Sequence, residues 1–249
     1  MKLDIKNYPG SKGASGVIEF LVNHTPDCDV FVDGMGGSGI VSSRIAELNK
    51  NQTIIYFEIV NHVLEQFKNK NTWKNIHFKN ESVIKFYSKK IYKEDSKFLF
   101  EDTVFFFDPP YKFETRRTER PMYEHEWGLE QHIEFLSFVR QLSEYTSAKI
   151  MITHPMEDDY VNLLINGEFE KEWFTSPFSY MGRGGVMYDT LWTNFNPKEE
   201  SLLSYKYVGK NNTDRQRIKR KIKRLVEKIE ALPYHEQQAI VTEIASLKH

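Results

Sequence analysis

The residues best equipped for chemistry are Asp108-Pro109-Pro110-Tyr111, which close the apolar run Val104-Phe105-Phe106-Phe107. Four successive apolar residues without polar alternation predict a strand covered on both faces, with Asp108 at its carboxyl end. Two prolines cannot continue a sheet ladder, so the chain leaves the sheet in a stiff turn that projects one carboxylate and one aromatic ring. The same residues also suit a strand stopped by Pro-Pro and capped by an Asp. A second signature has to supply a reagent before the carboxylate reads as part of a site.

That signature lies upstream. The short apolar strand Val30-Phe31-Val32 runs into Asp33-Gly34-Met35-Gly36-Gly37-Ser38-Gly39, and Ile40, Val41, Ile45 and Leu48 then recur on one helical face. Strand, glycine turn and helix form the context in which backbone approaches a ligand closely. A following strand, Thr53–Phe57, ends at Glu58. Glu58 falls about twenty residues beyond the glycines, where a carboxylate can accept both hydroxyls of a ribose. The regular Gly-x-Gly-x-x-Gly of a pyrophosphate turn is absent. The spacing leaves a dinucleotide and S-adenosylmethionine both open, and suits a ligand with an adenosine and an amino-acid tail at least as well. Near the start, Asn7-Tyr8-Pro9-Gly10-Ser11-Lys12-Gly13 reads either as a plain turn or as a loop that lays N–H groups and the Lys12 ammonium against an anion. No Walker A spacing is present, which argues against a nucleoside triphosphatase.

The elements that would position these residues alternate. A helix over Asn61–Lys70, a strand over 76–78 ending in Asn80-Glu81-Ser82, the strand at 104–107, a helix carrying Leu129, Ile133, Leu136, Val139 and Leu142, and a strand at Lys149–Thr153 predict a doubly wound α/β sheet. The ligand site of such a sheet lies beyond the carboxyl ends of its strands, where the glycine turn, Glu58 and Asp108 all fall. Residues 169–174 and 190–195 read as a closing strand pair. The segment between them, 177–185, reads as a loop or long hairpin connection that carries Arg183.

The last segment differs in character. Thr213-Asp214-Arg215-Gln216 fits a helix start, and Ile218, Ile222, Leu225, Val226, Ile229 and Leu232 recur at helical spacing up to Pro233. Arg215, Arg217, Lys219, Arg220, Lys221, Lys223 and Arg224 crowd the other face, either as a solvated surface or, as we read it, a phosphate-binding one. A second helix is expected over 236–247.

Composition bounds the rest. A chain of 249 residues can hold one sizeable core plus a small appendage. A formal net charge of −1 confines any nucleic-acid surface to a local patch. The single cysteine, Cys28, cannot form an intrachain disulfide and suits a reducing compartment. With no signal peptide and no membrane-length apolar run, a soluble protein of the cytoplasm is expected, the host's if the chain is phage-encoded. The eight histidines show no metal-ligand spacing, so no metal is expected.

Taken together, these motifs resemble the Dam-like adenine-specific DNA methyltransferases of bacteria and their phages, which use S-adenosylmethionine. The resemblance is carried by Tyr8-Pro9-Gly10-Ser11-Lys12, residues 31–39, Glu58, Asp108-Pro109-Pro110-Tyr111 and Leu191-Trp192-Thr193-Asn194-Phe195, and spans roughly residues 7–196. It implies a Rossmann-like class I methyltransferase sheet, mostly parallel and doubly wound and closed by an antiparallel hairpin, to which the residues beyond it add a helical appendage. The implied domains are a catalytic domain at 1–204 and a basic helical tail at 205–249.

The resemblance also assigns roles. Tyr8, Gly10 and Lys12 would hold the methionine end of the cofactor, and Asp33, Gly34, Gly36 and Ser38 would wrap it. Glu58 would take the ribose, Ser82 or Glu81 the adenine, with Asp108 also reached by the cofactor. Asp108, Pro109 and Tyr111 would serve a target adenine flipped out of duplex DNA, leaving S-adenosylhomocysteine as the by-product. Candidate DNA contacts are Arg116, Arg117 and Arg120 within 112–128, Arg183 within 176–188, and Arg215, Arg217, Arg220, Lys221 and Arg224 in the tail. Only about 70 residues separate the glycine turn from Asp108, so the recognition insert of larger members is nearly absent. The 4-amino group of cytosine, adenine in RNA, a protein glutamine, and a binding protein that has lost turnover are the alternatives.

Overall fold

The computed structural model describes residues 8, 10–14, 16–91, 100–116, 120–167, 170–182, 185–200, 202–204, 209 and 212–246. Pro9, Arg117, Phe169 and Arg183, each singled out by the sequence, lie outside the described residues. The chain divides into two compact units, Met1–Tyr205 and Lys206–His249.

The first unit runs α1 (Val17–Val22), β1 (Val30–Asp33), α2 (Ile40–Leu48), β2 (Thr53–Phe57), α3 (Asn61–Lys70), β3 (Ile76–Lys79), α4 (Val83–Ile91), β4 (Thr103–Phe107), α5 (Leu129–Tyr145), β5 (Lys149–Thr153), α6 (Asp158–Tyr160), β6 (Phe174–Gly182) and β7 (Gly185–Thr193). A seven-stranded sheet results, in the order β3-β2-β1-β4-β5-β7-β6. Strands β1 to β5 are parallel, because helices α2 to α5 carry the chain back between them. Strand β7 returns antiparallel between β5 and β6. This is the Rossmann-like, mostly parallel and doubly wound sheet with its closing antiparallel hairpin.

Strand β4 is buried at every position. Val104 and Phe106 pack on one face with Phe31, Ile54 and Tyr56, while Phe105 and Phe107 pack on the other with Val32, Phe57, Ile150 and Ile152. The unbroken apolar run thus divides by alternation between two cores. Each fully buried ring contributes roughly 2–3 kcal/mol. The strand's end, and with it Asp108, is held from both sides.

Two expectations change. The segment 177–185, read as a loop or a long hairpin connection, is itself mostly strand within the hairpin: β6 and β7 pair from Phe174↔Thr193 to Gly182↔Gly185. Residues 170–173 are not strand, and the pair sits further along the chain than expected. Pro and Gly masked a period-two alternation in which Phe178 and Tyr180 turn inward while Pro177, Ser179 and Met181 face out. Pro177 is tolerated because β6 is the edge strand and its lost donor breaks no further ladder. The sequence reading also placed no helix between β3 and β4, where α4 buries Val83, Tyr87 and Ile91.

The second unit consists of α7 (Asn212–Glu230) and α8 (Tyr234–Ser246). The Gln237 side-chain amide donates to the carbonyls of Leu232 at 2.7 Å and Glu230 at 3.2 Å, satisfying acceptors at the end of α7. No helix among the described residues is long and apolar enough to cross a membrane.

Candidate active site

In the strand order, β1 has β2 on one side and β4 on the other, so the chain reverses direction across the sheet at the β1/β4 boundary. A crevice opens there at the carboxyl ends, the place where doubly wound sheets bind ligands. It holds a cavity of about 240 Å³.

All ten residues that the resemblance assigned to the cofactor wall this cavity: Tyr8, Gly10 and Lys12 from the first loop; Asp33, Gly34, Gly36 and Ser38 from the glycine turn; Glu58, Ser82 and Asp108 from the ends of β2, β3 and β4. Of the ambiguous pair Glu81 and Ser82, only Ser82 reaches it. Pro110 also lines it, whereas Pro109 and Tyr111 do not.

The turn is built around Tyr56. Its hydroxyl donates to the Gly37 carbonyl at 2.8 Å, and a Cβ on Gly36 would overlap its ring. Only glycine fits at 36, and Gly37, at φ +52°, holds the left-handed backbone that glycine adopts freely. Glu58 braces the same turn: Oε2 accepts from the Gly37 amide at 3.0 Å and Oε1 from the Val60 amide at 2.8 Å. A carboxylate offers about four lone-pair sites, so capacity remains for a ligand hydroxyl beside these amides and that of Ile59. Burial raises its pKa, against those amides. Asp33 accepts from the Ser42 hydroxyl at 2.6 Å and is fully buried. Desolvation, against the Ser42 bond and with the neighbouring Asp108 and Glu58 charges, pushes Asp33 up to about 7. Apolar Ile59, Val83 and Ile84 complete the wall beside Glu58. Carboxylates and an apolar slot lining one cavity fit a cationic ligand that carries a ribose and a purine.

The Asp108 turn holds a compact charge cluster. The Lys12 ammonium, only 3% exposed, lies 2.6 Å from Asp108 Oδ1 and donates to the Tyr111 hydroxyl at 2.7 Å. The Tyr111 hydroxyl donates in turn to Asp189 Oδ2, itself 3.8 Å from the ammonium. Thr153 Oγ1 donates to Asp108 Oδ1 at 2.8 Å. Burial alone would lower Lys12, but the Asp108 and Asp189 charges outweigh it and hold the ammonium protonated. Burial raises Asp108 against the pull of Lys12 and Thr153, and raises Asp189 to about 6. Lys12 therefore walls the cavity with its charge already committed.

Beside Tyr111 stands a buried aromatic stack. The rings of His154 and Tyr160 are parallel at 4.0 Å, and His132 Nδ1 lies 3.0 Å from the Tyr160 hydroxyl. Burial pushes His132 down to about 4 and His154 well below the usual histidine range, so both are neutral. The Tyr111 ring meets His154 edge-on at 5.2 Å.

The sequence reading missed Asp189, Thr153 and this stack. Asp189 and Thr153 are isolated polar residues in apolar strands and the stack joins residues from separate elements; only the alternation around Asp189 hinted that it faces inward. It also missed that residues 120–127 close the cavity: Tyr123, Glu124, His125 and Trp127 all line it. Arg116 explains why. It was expected on DNA, but its guanidinium is buried, donating to both oxygens of Glu126 at 2.9 and 2.6 Å and to the Tyr111 carbonyl, with its plane over Phe113 and Tyr123. Glu126 also accepts from the backbone amides of Met122 and Tyr123 at 2.5 and 2.9 Å. Arg116 is thus a clamp between the Asp108 turn and the segment over the cavity, its side chain 5% exposed and its Nε buried without a partner, not a surface cation for a phosphate. Arg120 is exposed. In the second unit Arg217, Arg220, Lys221 and Arg224 are exposed and Arg215 is partly so; Arg217 pairs with Asp214 at 2.7 Å.

No protein-family model matches the sequence, and neither does any curated protein. Among solved structures, the chain is similar to an rRNA methylase from Streptococcus thermophilus (13% identity, 74% of this chain and 93% of that one, TM-score 0.45). It is also similar to TrmN from Thermus thermophilus (12%, 71% and 46%, 0.45) and to a precorrin-6y C5,15-methyltransferase from Geobacter metallireducens GS-15 (11%, 78% and 98%, 0.45). At such identities and TM-scores, neither activity nor substrate is carried over from them.

Proposed function

We propose that the chain transfers a methyl group from S-adenosylmethionine to the exocyclic amino group of adenine in DNA. The observation that carries the reading is one cavity walled both by the Glu58 carboxylate and by Asp108, which begins the Pro-Pro-Tyr turn. Glu58 and the slot at Ile59, Val83 and Ile84 suit the adenosine, and Asp33 suits the cationic end. S-adenosylmethionine supplies an electrophilic methyl: the acceptor lone pair forms the new N–C bond as the C–S bond breaks, its electrons staying on sulfur and one proton leaving the nitrogen.

The lone pair of an adenine amino group is delocalised into the ring. Asp108 and the Pro109 carbonyl each accept one amino hydrogen, which draws the nitrogen toward tetrahedral geometry and aims its lone pair at the methyl. Pro-Pro fixes that carbonyl, and orientation of this kind supplies much of a transfer's acceleration. Thr153 holds Asp108 in place. Tyr111 stacks on the extruded base, worth roughly 1–3 kcal/mol against a flipping cost of a few kcal/mol. The basic face of α7 serves the phosphates, and the β6/β7 hairpin and residues 112–128 remain the segments proposed to meet the duplex.

The test is transfer of labelled methyl to unmethylated duplex DNA, with single-stranded DNA and RNA in parallel and nucleoside analysis of the products. N6-methyladenine in duplex product, lost at least about 10²-fold in Asp108→Ala with cofactor still bound, is the expected result. Label in RNA alone, or on cytosine, reassigns the acceptor. Cofactor binding without transfer to any nucleic acid overturns the reading.

A further inference from the structure

Asp189 has no role in the reading above, yet it is almost fully buried beside the proposed reaction centre. We propose that Asp189 is a positioning residue that balances the Lys12 ammonium, so that the Asp108 carboxylate is left to the acceptor amino group. The proposal rests on the methyl-transfer reading and goes beyond it by assigning the second carboxylate of the cluster.

The cluster places one ammonium between two carboxylates. Lys12 reaches Asp108 Oδ1, the Tyr111 hydroxyl and, at 3.8 Å, Asp189 Oδ2. Two of the ammonium's three donors go to Asp108 and the Tyr111 hydroxyl, while Asp189, at 3.8 Å, acts on it through charge. Both bonds to Asp108, from Lys12 and from Thr153, land on Oδ1, so neither occupies Oδ2. Oδ2 is the oxygen that an incoming amino hydrogen can take.

Charge makes the second carboxylate necessary. With Asp189 the trio carries one net negative charge; without it Lys12 and Asp108 cancel. The acceptor nitrogen becomes positive as its bond to the methyl forms, and an unbalanced ammonium next to Asp108 opposes that charge in a site too buried for water to screen it. Asp189 returns the one negative charge the transfer needs while staying off the acceptor's oxygen. Two hydrogen bonds fix it there, since Oδ1 accepts from the Thr190 amide at 2.8 Å and the Tyr111 hydroxyl is tied to Oδ2. Tyr180 also faces this cluster, its hydroxyl raised by burial and by the Asp189 and Asp108 charges against the pull of Lys12.

The test compares Asp189→Asn, Tyr111→Phe and the double variant Asp189→Asn/Lys12→Gln with the full chain, reading kcat and acceptor KM from pH 5.5 to 9. Affinity for S-adenosylhomocysteine is measured separately. The expected result is a loss in kcat on the order of 10²-fold for Asp189→Asn with product affinity within about threefold, at least a tenth of it recovered by adding Lys12→Gln. Asp189→Glu retains most activity. An unaffected kcat, or a loss that Tyr111→Phe reproduces and Lys12→Gln does not relieve, overturns the proposal by leaving Asp189 as a tether for the Tyr111 ring. The charge linkage is also read without turnover. In a carboxyl-¹³C titration Asp108 ionises at lower pH in Asp189→Asn than in the parent chain, because it becomes the sole counter-ion of Lys12; an unmoved Asp108 overturns the proposal even where no acceptor is methylated. Asp189→Ser replaces Asp189→Asn in each comparison should the latter not fold.

Discussion

A buried carboxylate that ionises near neutrality is a residue-scale signature of a site prepared for a cation, and Asp33 is the clearest case. Its folded pKa of about 7 stands above its usual 3.8 because burial penalises the charge, while Ser42 supplies one hydrogen bond and Glu58 and Asp108 add repulsion. A carboxyl raised in the folded state keeps its proton there while the unfolded chain loses it. Its contribution to stability is therefore full below about pH 4, and falls as pH rises toward 7. Asp33→Asn keeps the Ser42 partner and removes the charge, so it should flatten that decline and stabilise the chain at pH 8, by as much as about 4 kcal/mol. Denaturant melts at pH 5 and pH 8 check this. A cationic ligand reverses the preference, so the same variant should bind S-adenosylmethionine more weakly at pH 8, by calorimetry.

At the scale of elements, the site depends on two supports outside the cavity. One is the packing of the glycine turn on Tyr56. Gly36→Ala forces a methyl into that ring and should cost about 1–3 kcal/mol of stability together with cofactor affinity, by thermal shift with and without ligand. The other is the Arg116 clamp. Glu126→Gln leaves a buried guanidinium with a neutral partner and loosens residues 120–127 over the cavity. Cofactor affinity should fall about tenfold while the far-ultraviolet spectrum stays unchanged; equal affinity in the variant would mean that the segment does not close on the ligand.

At the scale of the whole chain, the basic residues are unevenly shared. The first unit holds the acidic cavity, and the second carries a dense row of exposed cations on α7 in a chain of net charge −1. Replacing Arg217, Arg220, Lys221 and Arg224 with Ala should weaken duplex binding and reduce the slope of log K against log salt by about 3 to 4, since each phosphate contact contributes roughly 0.9. Affinity measured across a salt series decides it. An unchanged slope assigns α7 to solubility or to a protein contact.

What the sequence determined by itself was local: the two-sided strand β4 from its apolar run, the turn forced by Pro109 and Pro110, the glycine turn, the Glu58 carboxylate that closes β2, and the alternation that commits the chain to a doubly wound sheet. These follow from periodicity and backbone sterics, which act over a few residues. It went astray where Pro and Gly marked an edge strand, for there a missing donor costs little and looped and extended backbones share the same residues. The tertiary structure alone decided what each charge does. Arg116 and Arg217 are both arginines in polar segments, yet one is buried on Glu126 and the other exposed on a helix. Lys12 and Asp189 lie far apart in the chain and meet only because β7 returns beside β5, next to the strand that carries Asp108. Pairing in a buried site depends on distance in space, and no spacing along the chain encodes it.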